Sequence, residues 1–226
     1  MRMRVLAFSD VHASPRGAET ILGMAAETAP DIIAIAGDVT DFGPADFASA
    51  LLARMPVMTL VVPGNMDTAA AAAAFSAGKA RNLHMRKEVI GGVPFVGLGG
   101  WITSPSRNRP WGVDPQLAET ELSKLLTEGA VLLTHVPPYG HLDKVPVPSA
   151  FSASAGEVEH IGSQHVRMLV DRFRPSLVIS GHVHEDRGIE REGGTLFVNP
   201  GPAKEGFGAV IDLSGRPSAE LLTLSR

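Results

Sequence analysis

Ile32-Ile33-Ala34-Ile35-Ala36-Gly37-Asp38-Val39-Thr40-Asp41 decides how this chain folds. An unbroken apolar run, rich in isoleucine, stops at a glycine and a carboxylate. Such a run reads as a strand covered on both faces. Four other stretches share the form. Residues 5–9 lead into Asp10 and His12, and residues 57–62 into Gly64, Asn65 and Asp67. Residues 131–134 lead into His135, and residues 177–180 into Gly181, His182 and His184.

Helical segments fall between these strands. Ser14-Pro15 is a helix start, and that helix should end near Ala29-Pro30. Residues 45–54, 68–77, 114–128 and 163–173 read as further helices. The alanine run 69–74 favours helix by propensity alone. In the last of the five, Val166, Leu169, Val170 and Phe173 share one face. Gly91-Gly92 divides residues 88–98 into a hairpin. Residues 195–199, 208–213 and 219–224 read as short strands. A β-α alternation followed by mostly β fits two packed sheets with helices outside. Residues 102–113 and 137–159, rich in Pro, Ser and Gly, read as long loops.

The chain has 226 residues, 44% hydrophobic and 19% charged, with no stretch that reads as a linker. We expect a single domain over 1–226. A formal charge of -4 and a pI of about 6.1 argue against a dedicated nucleic-acid partner. There is no cysteine, so disulfides and thiolate metal sites are excluded. No segment reaches the roughly 18 apolar residues of a membrane span, and 5–8 is too short for a signal-peptide core. The expectation is a cytoplasmic protein acting on a small molecule, without a membrane partner.

The chemistry lies at the strand ends. In an open α/β sheet, ligands bind beyond the carboxyl ends of the strands. If the five strands are parallel, their ends meet at one rim. Residues two apart in extended chain point the same way, so Asp10 with His12, and His182 with His184, can converge. Glycine before Asp38, Asn65 and His182 lets the backbone turn sharply there. Carboxylate, amide oxygen and imidazole suit manganese, iron, nickel or zinc. Asp10, His12, Asp38, Asn65, His135, His182 and His184 would crowd one ion but suit two, roughly 3.5–4 Å apart and sharing a carboxylate. Each piece alone is common. A lone Gly-Asn is a turn, and a His after a strand is usually a hydrogen-bonded core residue. Their joint occurrence at five strand ends carries the reading.

The blocks Asp10-Val11-His12, Gly37-Asp38-Val39-Thr40-Asp41, Gly64-Asn65-Met66-Asp67, Thr134-His135 and Gly181-His182-Val183-His184 together resemble the calcineurin-like metallophosphoesterase superfamily. Gly-Asn-x-Asp and Asn199-Pro200-Gly201 are similar to its small prokaryotic branch. The resemblance implies a four-layer α-β-β-α sandwich of two packed mixed sheets flanked by helices. It implies one metal on Asp10, His12, Asp38 and His184, and a second on Asp38, Asn65, His135 and His182. It further implies that a hydroxide bridging the metals attacks phosphorus in line with the leaving oxygen. Catalytic roles fall to Asp38, Asn65, His135 and Asp67, with Asp41 and Asp67 acting as partners that orient ligand histidines. Many relatives carry His after the Asn of the third block, to protonate the leaving group. Here that position is Met66, which cannot act as an acid. The branch without that His tends towards phosphodiesters.

Four further residues are candidates for substrate binding. His141 and His160 flank the second long loop and could replace the missing acid, or lie on the surface. Arg107 and Arg109 sit between Trp101 and Trp111, so a phosphate grip with a stacking platform is one reading and a solvated loop the other. Lys204 is a weaker phosphate contact. A catalytically weak scaffold of the same fold is the competing reading, favoured only by Met66. A nuclease would need a basic track. A Rossmann enzyme is excluded by the lack of G-x-G-x-x-G after the first strand.

Overall fold

Residues 3–102, 111–148, 154 and 156–224 are described by a computed structural model. The near-continuous apolar runs become the middle strands of two six-stranded sheets. The first half of the chain runs β1 (Arg4–Phe8), α1 (Pro15–Thr28), β2 (Ile32–Ala36), α2 (Ala45–Ala53), β3 (Met58–Val62), α3 (Ala69–Ala73) and β4 (Ala80–Asn82). The hairpin follows as β5 (Lys87–Ile90) and β6 (Val93–Leu98), then the short β7 (Trp101–Ile102) and β8 (Gly112–Val113). The second half runs α4 (Pro115–Leu125), β9 (Val131–Thr134), β10 (Lys144–Pro146), β11 (Val158–His160), α5 (Gln164–Phe173) and β12 (Leu177–Ile179). It closes with β13 (Gly188–Glu192), β14 (Thr195–Asn199), β15 (Phe207–Asp212) and β16 (Ser218–Thr223).

The first sheet has the order β16-β15-β1-β2-β3-β4 and the second β13-β14-β12-β9-β6-β5. In each, four adjacent strands are parallel. Antiparallel β13 and β5 form both edges of the second sheet, whereas the first has antiparallel β15 and β16 at one side and parallel β4 at the other edge. Alternate residues of β1, β2 and β3 (Val5, Ala7, Ile32, Ala34, Leu60, Val62) pack against Phe95, Val131, Leu133, Leu177, Ile179 and Val198 of the second sheet. The opposite face of the first sheet packs on α1, α2 and α3, and that of the second on α4 and α5. The layers are therefore α-β-β-α. Burial on both faces explains why these strands read as unbroken apolar runs.

The helices begin where their caps stand. Ser14 accepts the Gly17 amide at 3.3 Å, and Ser163 accepts that of Val166 at 3.3 Å. Asp114 accepts from Gln116 and Leu117 at 3.0 Å each. Ala29 and Arg174 end their helices in the left-handed region, where glycine is usual.

Two expectations need correction. The five ligand-bearing strand ends do not lie along one sheet: β1, β2 and β3 belong to the first, and β9 and β12 to the second. The shared rim arises because the sheets pack face to face with those ends together. The 137–159 segment is also not all loop, since β10 and β11 pair within it. Strand β13 has no apolar signature in the sequence, because Gly188–Glu192 is a half-exposed edge strand of polar character. Among the described residues, no helix is long and apolar enough to cross a membrane.

Candidate metal centre

Three of the five strand ends, those of β1, β2 and β12, deliver their residues through a backbone turn that side chains seldom adopt. Asp10, His12, Asp38 and His182 have φ of 55°, 51°, 49° and 69°. Left-handed backbone at non-glycine residues costs of order 1 kcal/mol each. Neighbouring amides hold the turns. The His12 amide donates to the Asp38 carbonyl at 2.9 Å, and that of Gly181 to the His135 carbonyl at 3.0 Å. The His182 amide donates to Asp10 Oδ2 at 3.1 Å, which joins the two sheets.

Glycines make room for the carboxylates. A Cβ on Gly64 would lie 2.0 Å from Asp38 Oδ1, and one on Gly181 2.7 Å from Asp10 Oδ2. One on Gly37 would lie 2.5 Å from His135 Nδ1. These three positions tolerate no side chain while the carboxylates and imidazole stay where they are.

The side chains then converge. His184 Nε2 lies 3.2 Å from Asp10 Oδ1 and 3.4 Å from His12 Nε2. His12 Nε2 lies 3.9 Å from Asp38 Oδ2, and His135 Nε2 3.5 Å from the same oxygen. The Ala36 carbonyl can only accept, so His135 Nδ1–H donates to it, at 2.8 Å. His135 Nε2 faces Asn65 Oδ1, 2.9 Å away, which places the two side chains at one point of the rim. His182 packs edge-on against His135, with ring centres 5.0 Å apart.

Electrostatics point the same way. Asp10, Asp38 and Asp67 are all buried. Asp10 is deeply desolvated, yet His12 and His184 beside it hold its carboxyl far below the usual range. Burial pushes Asp38 up, against the pull of His135. Burial opposes charge on His135, but Asp38 and Asp10 drive it upward. His182, buried beside His135, is pushed down to about 3. The Asp10 carboxylate beside it raises His184. Among the described residues no well-aligned hydrogen bond reaches the buried Asp10 Oδ1, which His184 Nε2 faces at 3.2 Å. Groups of this kind fit divalent ions. Asp10, His12 and His184 form one set able to hold a metal, and Asp10, Asp38 and His135 a second, with the atoms of each set within 4.8 Å of one another.

The remaining candidates fall elsewhere. Asp67 does not orient a histidine. Its carboxylate accepts from the amides of Val39, Thr40 and Gly64 at 3.2, 2.7 and 2.8 Å and from the Thr40 hydroxyl at 2.9 Å. It clamps the Asp38 loop to the Asn65 loop, and burial pushes its carboxyl upward against those donors. Asp67→Ala should lower unfolding stability by about 3 kcal/mol, because buried amides lose a charged acceptor. Urea unfolding of the metal-free protein would read this. Asp41 is exposed, away from any such role. His141 stacks on Phe197 at 3.9 Å, with its ring nitrogens 3.1 and 3.0 Å from Glu190 and Glu192. His160 contacts Asp143 at 2.6 Å, and the same carboxylate accepts from Gly140 and Gly162. By sequence both are candidate substrate contacts. The structure instead ties them to nearby loops, because each ring finds a carboxylate there. Arg107 and Arg109 lie outside the described residues.

Two residues to which the sequence reading gave no role in the site hold turns around it. Asn199 Nδ2 donates to the carbonyls of Val183 and Asp186 at 2.7 and 3.2 Å, and so holds the turn that carries His182 and His184. His84 Nδ1 accepts the Gly99 amide at 2.9 Å, at the end of β6. Burial, with Arg86 nearby, pushes His84 down to about 4. A folded pKa below the ordinary 6.5 means that the neutral form is favoured in the fold. Its contribution is present above pH 6.5 and is lost as pH falls towards 4. We expect urea midpoints of wild type and His84→Gln to converge over that window. Parallel curves would reject this.

An α/β sandwich with carboxylates and imidazoles at the joint rim of its sheets has the makings of a metal centre. The chain belongs to the calcineurin-like phosphoesterase family, whose profile matches residues 3–186. It is similar to the uncharacterized protein MJ1162 of Methanocaldococcus jannaschii, at 26% identity over 211 residues and 88% of each chain. Its fold is similar to the crystal structure of TT1561 of Thermus thermophilus, with a TM-score of 0.77, 22% identity and 99% of each chain covered. A dimetal phosphatase from Danio rerio shares the fold at a TM-score of 0.63, 12% identity and 99% coverage of each chain.

Proposed function

We propose that the protein hydrolyses phosphodiesters with two divalent ions, and also takes phosphomonoesters and nucleotide-like esters. The observation that carries this is Asp10 Oδ1, a buried acceptor without a well-aligned donor among the described residues, on a residue common to both groups of ligand atoms. Asp10, His12, Asp38 and His184 would hold one ion. Asp38, Asn65, His135 and His182 would hold the other, with Asp38 shared. Bound there, the ions would supply Lewis acidity to a phosphoryl oxygen and an acidified water as nucleophile. Manganese is the metal we expect to support turnover in vitro.

The chain's own groups do the rest. Met66 N–H donates to Asp38 Oδ1 at 2.8 Å and fixes that carboxylate's orientation. The Ala36 carbonyl fixes the tautomer of His135. Lys204, whose amide faces the Asp10 carbonyl at 3.4 Å, has no ion pair among the described residues and offers a cation to a substrate phosphate. Met66 supplies no proton, which suits esters whose leaving group departs as an anion. Met66→His should raise turnover of diesters with poor leaving groups by about a hundred-fold, the low end for general acid catalysis. No gain in a folded variant would mean that another acid already serves.

The direct test strips the metals, restores Mn²⁺, and compares bis-p-nitrophenyl phosphate with p-nitrophenyl phosphate. Metal-dependent turnover that favours the diester is expected. Two bound metals without turnover of either ester would favour a catalytically weak scaffold, the reading to which Met66 also lends itself.

A further inference from the structure

We infer that Trp101 is the platform for a planar, base-like group on the phosphate ester, which narrows the substrate class to nucleotide esters. The inference rests on the phosphoesterase reading above. The ring of Trp101 lies 4.9 Å, centre to centre, from that of His182. It is half-buried and belongs to none of the three apolar clusters of the fold. Its neighbours behave differently: Ile102 packs on the outer core of the second sheet and Trp111 on that of the first. A tryptophan left out of every core, against a ligand histidine, is an unusual use of the largest apolar side chain.

The backbone under it is built to hold it there. The Trp101 amide donates to the Trp111 carbonyl at 3.0 Å, and Trp101 pairs with Gly112 in the β7–β8 ladder. Gly100, at φ 79°, donates to the Pro63 carbonyl at 2.6 Å, which ties the platform to the loop carrying Asn65. A Cβ on Gly100 would meet the Trp111 carbonyl oxygen at 2.1 Å, so the close approach requires glycine. Two apolar residues stand beside Asn65 on that loop side. Met66 follows Asn65, and Phe42, 60% exposed, donates its amide to the Met66 carbonyl at 2.7 Å. Aromatic side chains accept any base face by stacking, without needing hydrogen-bond readout. An apolar, planar flank beside a phosphate-binding centre fits a nucleoside phosphate better than a sugar or alkyl ester.

The test uses the Mn²⁺-loaded protein and measures inhibition of bis-p-nitrophenyl phosphate hydrolysis by AMP, ribose 5-phosphate and inorganic phosphate. Wild type should bind AMP about ten-fold more tightly than ribose 5-phosphate. Trp101→Leu should erase that ratio and leave inorganic phosphate unchanged, and Trp101→Phe should keep most of it. Equal binding of AMP and ribose 5-phosphate by wild type would overturn the inference. So would a Trp101→Leu variant that turns over slowly yet keeps the ratio, since the ring would then only prop His182. If wild type hydrolyses no ester, the phosphoesterase reading fails. Calorimetric titration of the same three ligands would still decide the role of Trp101.

Discussion

Gly64→Ala should lose metal-dependent turnover by about a thousand-fold while the protein still folds. A methyl group at that position would stand 2.0 Å from Asp38 Oδ1, far inside contact distance. The Asp38 backbone offers no retreat, since its amide nitrogen would lie 2.3 Å from the same methyl. The carboxylate must therefore swing away from the position where it faces His12 and His135. In the proposed centre this carboxylate would serve both ions, and displacements near 1 Å at reacting centres cost of order a hundred-fold or more. The hydrophobic layers are remote from this atom, so folding should survive. Metal content and kcat/KM of the purified variant decide the matter. Two retained metals with wild-type turnover would show that Asp38 is not the bridge.

The second large effect is expected from Asp10→Asn combined with His182→Ala. Asp10 takes the His182 amide through one carboxylate oxygen and turns the other towards His184. Asparagine keeps the shape and the first bond but removes the charge. Alanine at 182 removes one imidazole and keeps the backbone amide that bonds residue 10. Activity should vanish, and circular dichroism and the urea midpoint should stay near wild type. The midpoint is the sharper readout, because relief of buried charge could raise it. Retained activity in this variant would mean that the metal centre lies elsewhere.

Much of the site was legible in the sequence, for a physical reason. Strands buried on both faces must be apolar, so a polar residue at their ends stands out, and Asp10, Asp38, His135 and His182 stand there. The cradling glycines were legible only as turns before Asp38, Asn65 and His182; the room that Gly37, Gly64 and Gly181 make is for His135, Asp38 and Asp10 from other strand ends. Hidden instead was everything set by backbone groups. That Ala36 orients His135 through its carbonyl has no residue-type signature. Asp67 looked like a partner for histidine because its type allows it, but buried amides of Val39, Thr40 and Gly64 claimed it first. His141 and His160 looked available because one chain does not reveal which carboxylates will lie beside them. The edge strand β13 escaped because an edge needs no apolar run, and the assignment of strands to sheets is set by packing that no local pattern encodes.

The ligand set is also split along the chain. Asp10, His12, Asp38 and Asn65 come from one sheet, and His135, His182 and His184 from strand ends of the other. Cross-sheet bonds, such as His182 N–H to Asp10 and His135 to Ala36, join the apolar core in bringing the halves into register. A slip of one residue between the sheets would scatter the centre while leaving either half intact. In the proposed centre, metal capture would therefore act as a proofreading step on assembly, and a severed half should take up neither ion.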